Sequence, residues 1–235
     1  MSEEKERQVY WTLASQPARA VRTLINIGKI PATFTNVNLA KAEHLDPKYV
    51  ALHPVPKVPL LKEGDWVLGE SSAIMVYLCE IYPHLAQYHG TTPEARARVN
   101  RWMGWYHNYF RPFVVAPVRT YLHAYFRQTP VSPKQQRTLD QGIKGALDQL
   151  EELLKHGQTR FMGGESPSIA DFLFFYELTN LIYFDLALTK HPRVQQWFDE
   201  VYAIPEVKEI THQWYQVAKV MKRNFKEVEV ATPKL

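Results

Sequence analysis

The chain has a single cysteine, Cys79, among 235 residues. One thiol excludes an intrachain disulfide and any metal site built on cysteine pairs, and it fits a reducing compartment. Glycine is sparse as well, ten in all. None of the ten builds a Gly-x-Gly-x-x-Gly fingerprint, a Walker loop or a Gly-x-Ser-x-Gly elbow, so the usual phosphate cradles and serine-hydrolase turns are missing. His-Glu-x-x-His is absent too; His84 and His89 read as solvated loop histidines, and no metal is expected. A large excess of one charge sign is also missing: 28 Lys and Arg face 24 Asp and Glu, for a formal net charge of +4. The basic residues are dispersed, apart from a loose group at Lys219, Lys222, Arg223 and Lys226, which argues against a nucleic-acid partner. One apolar run, Ile169 to Leu188, is long enough for a bilayer but carries Asp171, Glu177 and Asp185. Each acid costs about 2.5–3.5 kcal/mol at a bilayer centre, so the run reads as one buried central helix, not a membrane span. Met1 to Arg7 is polar and charged rather than an apolar leader, which suggests a cytoplasmic protein. Pro233-Lys234-Leu235 faintly resembles a peroxisomal Ser-Lys-Leu address.

What is present is aromatic: six Trp, thirteen Tyr and eleven Phe, large side chains suited to filling a core. Residues 7–13 alternate as a strand, Pro17 to Gly28 has helical spacing, and Ile30-Pro31 stops it. Thr33 to Leu39 reads as a second strand, so the first unit is a parallel βαβ. A helical turn near Pro47–Leu52 and a proline-dense stretch, His53 to Leu61, lead to a third strand over Val58–Leu61. The Glu63-Gly64-Asp65 turn returns the chain antiparallel through Trp66-Val67-Leu68, and a helix follows over Glu70–Tyr82. These elements predict an α/β domain over residues 1–82, a linker over 83–93 and an all-α domain over 94–235. In the second part, Ser132-Pro133-Lys134-Gln135 and Ser168-Ile169-Ala170-Asp171 read as capping boxes. An apolar stripe from Leu139 to Leu154 reads as a helix ending at Gly157. Trp102, Trp105, Tyr106, Tyr109, Phe110 and Phe113 make the helix after the linker aromatic, mostly as core.

Ser15, in the stretch Leu13-Ala14-Ser15-Gln16-Pro17-Ala18-Arg19-Ala20-Val21, has two readings: a helix N-cap, or a hydroxyl at a reacting centre. With no base nearby, the second role would be hydrogen-bond donation. Glu70 and Ser71 open a helix, where free N–H groups and the dipole favour a carboxylate. They are also what any helix N-terminus prefers. Taken singly, Lys57 is a surface lysine, His44 a solvated histidine and Pro59 a turn residue.

The stretches Leu13–Val21, Glu43-His44-Leu45, Lys57–Asp65, Gly69–Leu78, Glu94–Val99 and Ser168–Phe172 resemble, in order and spacing, motifs of the glutathione transferases. The resemblance is closest to the theta class, which uses serine. It implies a thioredoxin-like N-terminal domain (βαβ-ββα), an all-helical C-terminal domain and a cytosolic homodimer active in detoxification. It further implies that Val58-Pro59 is cis, with the Val58 backbone pairing with glutathione like an added strand. Ser71 would then hold the γ-glutamyl carboxylate and Glu70 its ammonium. Lys57 and His44 would meet the glycine carboxylate, and Gln16 would contribute to the same site. Ser15 would donate to the glutathione sulfur, which then attacks a small electrophile: an alkyl halide, an epoxide or a peroxide. Arg111 falls where such enzymes place an electrophile-facing arginine; its other reading is a surface salt bridge. Pro59, Ser168 and Asp171 would be structural.

Two residues depart from the pattern. His53 stands where the family usually has asparagine, and Pro56 where theta sequences often carry a second lysine; Pro56 removes a donor and stiffens the approach to Lys57. The alternative function is a non-catalytic subunit of the same fold, docked in a larger assembly. A cysteine-using thiol reductase is disfavoured, because Ser15 holds the reacting position and Cys79 comes late in its helix.

Overall fold

Strand β1 (Arg7–Trp11) places successive side chains on opposite faces, as the two-residue period of a strand requires. Val9 and Trp11 enter the main core, while Tyr10 packs with Val37, Tyr49 and Leu60 on the other side. The computed structural model describes residues 6–127, 131–184 and 188–226. Helix α1 (Gln16–Ile27) carries the chain to β2 (Thr33–Asn36), which pairs with β1 in parallel. Strand β3 (Leu60–Glu63) pairs antiparallel with β1, and β4 (Trp66–Leu68) antiparallel with β3. The sheet order is β2-β1-β3-β4. Short α2 (Pro47–Val50) covers one face, and α3 (Ser71–Ile81) joins α1 in the main core. This is a thioredoxin-like unit. The third strand starts two residues later than expected, because the segment at Val58–Pro59 turns away from the sheet.

Within the span read as a linker, Pro83–Leu85 forms a 3₁₀ turn and α4 (Ala86–His89) a helical turn. His89 is not solvated, since it is buried with Nε2 2.9 Å from Asn100 Oδ1. Helical elements follow. Helix α5 (Pro93–Trp105) runs through a π turn (Tyr106–Phe110) into α6 (Arg111–Arg127), so the aromatic stretch is interrupted rather than one regular helix. Trp102, Tyr106 and Phe110 are core, whereas Tyr109 and Phe113 are exposed. Helix α7 (Pro133–Gly157) starts at Ser132, whose side chain accepts from the Gln135 N–H. Its left-handed cap residue is Gln158, at φ 51°, rather than the expected Gly157.

Helix α8 (Ile169–Leu178) is buried throughout. It is shorter than the expected helix over Ile169–Leu188, because the chain tightens into a 3₁₀ stretch over Thr179–Phe184. There the Thr179 hydroxyl takes the Tyr176 carbonyl that an α-helix would use. The Ser168–Asp171 capping box is present. Buried Asp171 accepts from the N–H groups of Met162 and Ser168, the Ser168 hydroxyl and the Trp197 indole, at 2.6–2.9 Å. Helices α9 (Pro192–Tyr202) and α10 (Pro205–Lys226) complete the described chain. Asp185 and the Pro233–Leu235 tail lie outside the described residues. No helix among those described is long and apolar enough to cross a membrane.

One continuous core runs from Val9 through α1, α3 and α8 to Ile210, joining the sheet to the helices. Arg19 sits fully buried where they meet. Its Nη2 donates to the Tyr176 carbonyl and Asn180 Oδ1 at 3.3 Å, and its guanidinium lies 4.3 Å from the Trp214 ring. Thr23 and Tyr176 share a 2.6 Å hydroxyl bond beside it. Side chains of α1 and α8 thus meet through polar as well as apolar contacts.

Candidate functional site

Three backbone features shape a cleft beside the sheet. The Val58–Pro59 peptide is cis, so the chain turns just before β3. Lys57 precedes it, held by its N–H to the Val55 carbonyl at 2.9 Å and by its own carbonyl, which accepts from Tyr49 Oη at 2.7 Å. Pro56 lies inside that turn, so its fixed φ suits the approach to Lys57. Finally, Glu70 caps α3 with φ 63° and ψ 114°. A side chain rarely adopts this region unless its surroundings enforce it.

The resulting cavity has a volume of about 170 Å³. Its lining includes Lys57, the Val58–Pro59 peptide, Glu70, Ser71, Pro17 and His53. The π turn and the start of α6 add His107 and Arg111, four residues apart, to its wall. Gly69 leaves room for the His53 imidazole: a methyl group on Gly69 would lie 3.1 Å from its Nε2. Ser71 is buried in the first turn of α3, where unpaired N–H groups accumulate. One acid, Glu70, two basic side chains, Lys57 and Arg111, and a helix N-terminus thus converge with a strand-like backbone at Val58. This set can hold an extended peptide carrying carboxylates and an ammonium group.

Ser15, Gln16 and His44 do not line this cavity, though Pro17, two residues after Ser15, does. Ser15 is buried; its N–H donates to the Thr12 carbonyl at 3.1 Å and its Oγ accepts from the Ala18 N–H at 3.4 Å. The hydroxyl therefore caps α1, and an accepting hydroxyl keeps its own proton for another acceptor. Gln16 is the buried first residue of α1, and His44 lies in a 3₁₀ turn over Glu43–Leu45.

Arg111 is not in a surface salt bridge. Its Nε lies 2.8 Å from Oε1 of fully buried Glu177, which also accepts from Tyr106 Oη at 2.6 Å. Burial alone would lower the Arg111 pKa, but Glu177 and Tyr106 raise it above its ordinary value. Burial pushes the Glu177 carboxyl up, opposed by Arg111, Tyr106 and Arg19. Sequence reasoning missed Glu177 and Arg19, whose only signal was a charge inside an otherwise apolar run or motif. It also missed His107. Cys79 is buried, and burial raises its thiol to about 12, which leaves it unreactive at neutral pH. No cluster of metal-ligating side chains occurs among the described residues.

Comparison with known proteins gives matches over both halves. Residues 9–90 match the family model for the glutathione S-transferase N-terminal domain, and residues 117–212 the model for its C-terminal domain. Glutathione S-transferase theta-1 of Bos taurus is 30% identical over 198 residues, covering 83% of this chain and 82% of the relative. Glutathione S-transferase T3 of Arabidopsis thaliana is 30% identical over 199 residues, 82% of this chain. The chain spans about a third of that relative's length, 34%. A crystal structure of human glutathione transferase theta-2 in complex with glutathione and an unknown ligand superposes with a TM-score of 0.86 at 25% identity. That match covers 97% of this chain and 93% of the human chain.

Proposed function

This chain belongs to the glutathione S-transferase family, and from that premise we propose that it binds glutathione, ionises its thiol beside Ser15 and adds the thiolate to a small electrophile. The observation that carries this reading is the convergence of the cis Val58–Pro59 segment, Lys57, Glu70 and Ser71 on one cavity. Glutathione would lie extended, its cysteinyl backbone paired with Val58 as an added strand. Its γ-glutamyl carboxylate would sit at the α3 N-terminus on Ser71, its ammonium on Glu70 and its glycyl carboxylate near Lys57 and His53. His44 and Gln16, outside the cavity walls, would act at most at its margin.

A free thiol has pKa about 8.5, so only a few per cent is thiolate at pH 7. A hydrogen bond to a charged partner contributes about 1.5–3 kcal/mol, which is roughly one to two pKa units. Ser15 keeps a proton for that bond while it caps α1, and the positive end of α1 adds to the effect. Alkyl halides, epoxides and peroxides are the electrophile classes proposed from the theta-class likeness, with Arg111 at the cavity wall stabilising the leaving anion. A cytoplasmic homodimer completes the reading. Exposed Trp66 beside an apolar groove between α3 and α5 supports a second copy there, and native mass measurement would show twice the chain mass.

The competing reading, a non-catalytic subunit in a larger assembly, draws on one observation: Ser15 does not line the cavity. Ultraviolet absorbance of bound thiolate separates the two. The enzyme reading expects thiolate below neutral pH on the wild type, and a shift upward by about one to two pH units in Ser15→Ala. Glutathione bound to the wild type with no thiolate signal below pH 7 would leave the non-catalytic reading.

A further inference from the structure

The π turn places His107 between two cavities. It lines the one that holds Glu70, Ser71 and Lys57, and also the groove of Trp66, Ser72, Tyr77 and Glu80. Its Nε2 is 3.2 Å from Ser72 Oγ, on the residue after Ser71 in the first turn of α3. Its ring meets Tyr106 edge to face at 4.9 Å. A π turn inside a helix often marks a functional position. Here it lets one helix reach the N-terminus of another across the domain boundary.

We infer that His107, in its neutral form, is a positioning residue for the γ-glutamyl end of glutathione. Through Ser72 it orients the first turn of α3, and while uncharged it leaves Glu70 to the ligand's ammonium. The inference rests on the glutathione reading of the cavity. Two consequences follow from charge. A protonated ring would compete with the ammonium for Glu70, and it would add a cation beside Arg111 at the positive end of α3. The charged and titratable groups facing it are Glu70, Lys57, His53 and Arg111 on one side, and Glu80 and Tyr77 on the other. His107 keeps an exposed edge; partial desolvation by the surrounding walls lowers its pKa from the ordinary value, Glu70 opposes this and Arg111 adds to it. The neutral ring therefore prevails at pH 7 and is lost as the solution is acidified.

The test is calorimetric binding of S-methylglutathione from pH 5.5 to 8. Its blocked thiol removes thiolate chemistry, and its carboxylates titrate below that window. Wild-type affinity should hold at pH 7–8 and fall toward the acid end as the ring takes up its proton, by less than about tenfold per pH unit. His107→Gln keeps a neutral hydrogen-bonding group, so it should match the wild type at pH 7 and lose the fall on acidification. His107→Ala should bind about fivefold more weakly at pH 7 and also lack the acid fall. His53→Asn should retain the acid limb, which separates the two histidines. An acid limb that survives in His107→Gln, or wild-type affinity in His107→Ala, overturns the inference. A wild type that binds no S-methylglutathione at any pH overturns the glutathione reading itself, and the inference with it.

Discussion

Glu70 shows how a single residue can hold strain at a site. Its φ of 63° belongs to a region costing about 1–3 kcal/mol for a residue with a Cβ, and it is exposed at the cavity edge with nothing capping from its side chain. Glu70→Gly should therefore stabilise the fold by about 1 kcal/mol in urea unfolding, while glutathione affinity falls at least tenfold through loss of the ammonium acceptor. A variant that is no more stable would mean the backbone angle carries no penalty here. Ser15 is the opposite case. Its cap was legible from the Ser-x-Pro order, but whether its hydroxyl reaches a thiol is a matter of distance, which no local pattern encodes.

Among the elements, α9 is held from the side. Glu151, on α7, is buried and accepts from the N–H groups of Arg193 at 3.2 Å and Val194 at 2.9 Å, in the first turn of α9. Burial works to raise the Glu151 pKa, yet these N–H donors and Lys155 bring it below its ordinary value. A depressed carboxylate adds stability that is complete above the unfolded value of about 4.3 and lost as pH falls through the lower folded value. Glu151→Gln should thus be less stable than the wild type at pH 7 by about 1–2 kcal/mol. The gap should narrow toward pH 3 in denaturant titrations; a gap independent of pH would point to packing instead. This contact joins residues more than forty positions apart, so the stripe that identified α7 said nothing of it. By contrast, the Ser168–Asp171 box was legible because both partners lie within one turn.

At the scale of the whole molecule, the two halves share one core and one buried charge group. Glu177 lies beneath Arg111 at the cavity wall, and its carboxylate also acts electrostatically on Arg19, buried between α1 and α8. Removing one partner of a buried pair leaves the others uncompensated, at a cost of about 3–5 kcal/mol. Glu177→Ala should lose that much stability, and sheet and helices should still unfold together when tryptophan fluorescence and far-ultraviolet dichroism are compared. Two separated transitions would show that the shared core does not couple the halves.

By itself, the sequence determined the order of strands and helices, the turn chemistry at Glu63–Asp65, the serine N-caps at Ser15, Ser132 and Ser168, and the family motifs. Each of these depends on residues a few positions apart, whose periodicity and conformational preferences act locally. Only the tertiary structure decided which motif residues share a cavity, that Ser15 and His44 stand outside its walls, and that Arg111 is paired with Glu177. It also broke the long apolar run at Thr179 and put His107 against Ser72. Those outcomes depend on distances between segments far apart in the chain, set by how one core closes around buried charge.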